Sequence, residues 1–178
     1  MPDAPAIRLA NLRHYLHERQ HADILAVGEA AGYQGMRWSG IAFTSEQDLA
    51  RWGLPYRRTS LNRANGWSEP SGTIVHGLLE ELGIERRVIL WNTVPGHPYL
   101  PGKPLSNRRP TRPEIEQGLT LLERLIAATE PQKIVAVGRI AETILEGRGA
   151  HYVRHPAQSG ATAFRQGMRD LISSTALG

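Results

Sequence analysis

Glu29, Asn92 and His155 each close a short apolar run, at Asp23–Val27, Arg87–Trp91 and His151–Arg154. A carboxylate can orient water or steady a cation, and an amide offers a donor and an acceptor at once. A neutral imidazole can donate one hydrogen bond without acting as a strong acid. Phe43, in the setting Gly40-Ile-Ala-Phe43, is either a core ring or a flat surface for stacking. Each residue also has an ordinary reading. Asn92 suits a turn after a strand, His155-Pro156 a simple turn, and Glu29 a brace for its loop.

Other chemistries are excluded by residue type and spacing. Cysteine is absent, which removes disulfides, thiolate zinc sites, iron–sulfur clusters and a cysteine nucleophile together. The seven histidines form no H-E-x-x-H or comparable metal spacing. Gly28-x-x-x-Gly32-x-x-Gly35 departs from the dinucleotide-binding G-x-G-x-x-G, and no Walker lysine occurs. No metal or organic cofactor is expected.

The elements that must position these residues follow from periodicity. Ile7 to Gln20 reads as a short amphipathic helix, and Asp23–Val27 as a buried strand. From Gly28 to Pro70 the chain has little regular pattern, as expected of a functional loop region. A helix over 73–83 has Gly83 as its C-cap. Arg87–Trp91 is a second strand, followed by a loop with five prolines and three arginines between Thr93 and Arg112. A helix over 113–130, a strand over Lys133–Val137, a helix over 139–145, a short strand at His151–Arg154 and a last helix over 161–173 complete the chain. Continuous apolar strands alternating with helices predict an α/β fold: a three-layer αβα sandwich on a central, mainly parallel sheet of about four strands. In such sheets ligands bind beyond the C-terminal strand ends, where Glu29, Asn92 and His155 fall.

At 178 residues and 40% apolar content, one domain covering 1–178 with a real core is expected. No run reaches the roughly 20 apolar residues of a membrane span, and the N-terminus lacks a secretory pattern, so a cytoplasmic address is expected. The formal charge of +4 favours a polyanionic partner without establishing one.

Motifs sharpen this. Gly28-Glu-Ala-Ala-Gly32 followed by Gly40-Ile-Ala-Phe43 resembles the first motif of uracil-DNA glycosylases, a Gly-Glu-Ala-Pro-Gly type loop and a Gly-x-x-Phe. Leu90-Trp-Asn-Thr93 resembles the segment carrying their base-reading asparagine, and Arg154-His-Pro-Ala157 their His-Pro-Ser motif. Glu69-Pro-Ser71 is similar to their proline–serine loop on DNA phosphate. Asn107–Thr111 and Val137–Ala141 resemble connecting segments of the iron–sulfur branch. The matches stand in the family's order across about residues 24 to 170.

The resemblance implies a monofunctional DNA N-glycosylase of base excision repair, a monomer acting on DNA that contains a damaged base. Phe43 would stack on the everted base, with Gly28 beside it and Asn92 pairing with uracil O4 and N3–H. His155 would donate to O2, and Glu29 would orient water or brace the loop, with Glu69 a second carboxylate of mainly structural role. Ser71, Arg154, Gln158 and Arg165 would contact DNA, with Arg108, Arg109 and Arg169 as further basic residues. The departures are specific. The branch's four cysteines are missing, so no iron–sulfur cluster is implied. Ala30 stands where the best-known branch has its water-activating aspartate, Gly32 where it has its thymine-excluding tyrosine, and Ala157 in place of serine. Uracil is the first substrate expected, with hypoxanthine or xanthine as alternatives. A protein that binds damaged DNA without cleaving it, and a nucleoside hydrolase on the same fold, are the competing classes.

Overall fold

The computed structural model describes residues 3–174. The apolar runs form four strands: β1 Ile24–Ala30, β2 Val88–Val94, β3 Lys133–Val137 and β4 His151–Val153. All pair in parallel in the order β2-β1-β3-β4. The helices are α1 Ala4–His17, α2 Met36–Ser39, α3 Glu46–Trp52, α4 Pro70–Leu82, α5 Arg112–Thr129, α6 Arg139–Ile144 and α7 Ala161–Ser173. Helices flank the sheet in a three-layer αβα sandwich, as the apolar patterning predicts. Among the described residues no helix is long and apolar enough to cross a membrane.

Leu25, Val27, Ile89 and Val135 are fully or almost fully buried, packed among Tyr15, Leu78, Leu122 and Phe164 from the helical layers. The edge strand β2 packs against α5 and is reached from α1 by Tyr15. Tyr15 is completely buried, and its hydroxyl accepts from the Leu90 N–H at 2.9 Å. That contact occupies a backbone group that an open sheet edge would otherwise expose. Helix ends follow their sequence signals. Thr111 and Glu114 form a reciprocal capping box with a proline in the first turn of α5, and Gly83 closes α4 in a left-handed conformation.

Two differences from the patterning bear on function. The stretch 28–70 contains α2 and α3, both too short to give a readable helical period. The ladder between β1 and β2 also runs on through Gly28↔Asn92 to Ala30↔Val94. The β1–β3 ladder stops at Val27↔Ala136. Glu29 and Asn92 therefore lie inside their strands rather than after them.

Candidate active site

At the C-terminal ends of the strands lies a cavity of about 630 Å³, lined by Glu29, Phe43, Asn92 and His155 among others. A phenyl ring, an amide, an imidazole and a carboxylate from four separate segments thus face one space.

Gly28, Phe43 and Asn92 meet at closest range. A Cβ placed on Gly28 would stand 2.6 Å from Asn92 Oδ1 and 2.6 Å from Phe43 Cζ, so the two side chains come together over a residue that can have none. Asn92 is 4% exposed, and its Nδ2 donates to the sulfur of Met36 at 3.5 Å. Phe43 sits in the left-handed region at φ 52°, unusual for an aromatic residue. Its surroundings hold it there. Gly72 of α4 packs directly under the Phe43 carbonyl, leaving no room for a side chain. One turn later the buried His76 Nε2 hydrogen-bonds the Thr44 hydroxyl at 3.0 Å, and that hydroxyl donates to the Ala42 carbonyl at 2.9 Å. Burial holds His76 down to about 4, so it is neutral near pH 7.

His155 lies two residues beyond β4, its ring centroid 5.9 Å from that of Phe43. The Ala157 N–H donates to His155 Nδ1 at 3.1 Å. With Nδ1 accepting, the proton of the neutral ring belongs on Nε2. Burial, helped by the Arg154 charge, holds the imidazole below its ordinary range. The ring is therefore a neutral Nε2–H donor at physiological pH.

Two carboxyls line the cavity. Burial raises Glu29 above the usual carboxylate range, partly offset by the Arg109 guanidinium. Glu69 is raised to about 7, first by burial and then by Asp48. Its Oε2 has no hydrogen-bond partner and packs against Gly35. The sequence marks Glu69 as a secondary carboxylate, and nothing local signals its depth. Tyr33 and Asn107 also line the cavity, and Asn107 Oδ1 accepts from the Tyr33 N–H at 3.1 Å. Sequence reasoning assigned neither residue a role, because their contact joins positions 74 apart.

Of the predicted DNA contacts, Ser71 in the first turn of α4, Arg154 and Gln158 line the same cavity. Gln158 and Ser159 both have positive φ, giving the loop after His155 a tight course. Arg165 does not line the cavity. It lies on α7, 3.7 Å from Glu81, which also binds Arg169 at 2.6 Å. Arg108 is held by Glu114 at 2.8 Å.

A parallel sheet carrying these side chains around one cavity defines an α/β domain with its candidate site at the strand ends. The family model of the uracil DNA glycosylase superfamily matches residues 16–173. The chain belongs to that superfamily, whose members act on DNA in base excision. Among curated proteins, none matches the chain.

Proposed function

We propose that the protein hydrolyses the N-glycosidic bond of uracil in DNA, releasing the free base and leaving an abasic site. The carrying observation is the convergence of Phe43, Asn92 and His155 on one cavity, with His155 fixed as an Nε2–H donor.

The everted base stacks on Phe43, a contact worth about 1–3 kcal/mol by loss on alanine substitution. The Asn92 amide donates to O4 and accepts from N3–H. Cytosine would set donor against donor there and leave buried polar groups unsatisfied. As the bond from C1′ to N1 breaks, its electron pair moves into the base and charge grows on O2. The Nε2–H of His155 meets that charge, a contribution of roughly 3–4 kcal/mol for a preorganised donor. Water adds to the cationic C1′, and its proton passes to Glu29 or to the departing base. Ser71 and Arg154 hold the flanking phosphates.

The test is single-turnover base release from single- and double-stranded oligonucleotides carrying uracil, hypoxanthine or xanthine. Release from uracil should exceed the others, and His155→Ala should slow it by about 10²- to 10³-fold. Asn92→Asp should cut uracil release by removing the donor to O4. Absence of release from every lesion, alongside salt-sensitive DNA binding, would assign the chain to non-cleaving damage recognition. Ala30 and Ala157 are the positions that would account for such a loss.

A further inference from the structure

The segment 53–68 enters the cavity wall through Glu69, Pro70 and Ser71, and it contains Arg57, Arg58 and Arg63 but no Asp or Glu. Its arginines differ from most of those on the rest of the molecule. Arg51, Arg87, Arg108, Arg139, Arg148 and Arg169 each hold a carboxylate. Among the described residues Arg57, Arg58 and Arg63 are exposed and hold none.

The loop is also built to keep its shape. Asn11 takes both backbone groups of Arg57, accepting from its N–H at 3.0 Å and donating to its carbonyl at 2.8 Å. The fully buried Glu46 accepts from the N–H groups of Thr59 and Ser60 at 2.7 Å and of Trp67 at 3.1 Å. The guanidinium of Arg63 lies 3.7 Å from the centre of the Trp67 ring. Trp67 stacks on Trp38 at 5.5 Å and meets the edge of Tyr33, which lines the cavity, at 6.0 Å. A chain of ring contacts thus links Arg63 to the cavity mouth. Guanidiniums ordered in advance lose little freedom when they bind, and their fork geometry suits phosphate oxygens.

We propose that Arg57, Arg58 and Arg63 form a preordered phosphate-gripping surface for the DNA strand flanking the everted nucleotide. It rests on the excision reading for its ligand and extends the contact area beyond Ser71 and Arg154.

The test is binding of a duplex carrying a 2′-fluoro-deoxyuridine, which resists base loss, followed by fluorescence anisotropy from low to moderate salt. Each phosphate contact removed lowers the magnitude of the slope of log K against log salt by about 0.9. Arg57→Ala/Arg58→Ala/Arg63→Ala should lower it by about 2 to 3, and Arg57→Ala/Arg58→Ala, which spares the Trp67 stack, by about 1 to 2. Folded variants with the wild-type slope would overturn the assignment while leaving the excision reading intact. Wild-type protein that binds this duplex but releases no base from any lesion would sink the excision reading and leave the loop measurement readable. Wild-type protein that does not bind the duplex would overturn the loop assignment as well.

Discussion

A methyl group at position 28 would collide with Asn92 Oδ1 and the Phe43 ring at once. Gly28→Ala is therefore expected to push both side chains out of register and to cost about 1–3 kcal/mol in overpacking. Base release should fall by more than the loss of stability explains, which single-turnover rates on folded protein will show. Glu29 tests differently. Its pKa is raised, so as pH falls through that raised value the carboxylate becomes neutral. If it orients water or steadies the cationic sugar, the rate of base release falls along this acid limb, and Glu29→Gln should be slow at every pH with the limb flattened. Retention of both rate and limb by the variant would leave Glu29 as a loop brace. These roles are legible in sequence only as residue types. A carboxylate after an apolar run announces itself, whereas the tautomer of His155 depends on the Ala157 N–H and emerges only from the turn.

At the scale of elements, the long loop 53–68 is tied to α3 by the Glu46 side chain and by the Gln47 N–H, which donates to the Trp67 carbonyl at 3.1 Å. Glu46→Ala would leave the N–H groups of Thr59, Ser60 and Trp67 without their buried acceptor. Each such group costs about 1–3 kcal/mol, so a destabilisation of several kcal/mol is expected in urea unfolding. Cleavage by a limiting amount of trypsin at Arg57, Arg58 or Arg63 should accelerate beyond the rate set by global unfolding. Nothing in the sequence points to this. A glutamate in the first turn of a short helix ordinarily faces water, and its partners stand 13 to 21 residues away. By contrast the cores of β1, β2 and β3, and the helices α4, α5 and α7, are plain in the chain because burial demands continuous or periodic apolar residues. The short α2 and α3 escape notice because one or two turns cannot establish a period. The Trp38–Trp67 stack escapes because its members are joined only through the fold.

At the scale of the whole molecule, two buried groups set opposite pH trends. Glu69, raised to about 7 from an ordinary 4.5, keeps its proton in the native state until the pH approaches 7. The unfolded chain loses that proton earlier, so its stabilising contribution is complete below about pH 4.5 and is lost as pH rises to about 7. The span corresponds to about 3 kcal/mol. His76, lowered to about 4 from 6.5, acts the other way, contributing fully above about pH 6.5 and losing stability as pH falls toward 4. Glu69→Gln should therefore gain stability over wild type at pH 7.5 and little at pH 4.5, as read from denaturant midpoints. An equal difference at both pH values would refute the raised pKa of Glu69.

The unequal ladders of β1 have a last consequence. Past Val27 the strand keeps its β2 neighbour to Ala30 but has lost β3. One margin of its main chain is thereby left without a β3 partner beside the strand-end hollow. Backbone N–H and C=O groups are common to all twenty residue types bar proline's missing N–H. Substitution of side chains such as Ala30 would therefore leave that main-chain margin in place. Chemistry inscribed in the polypeptide itself is hard for point mutation to erase.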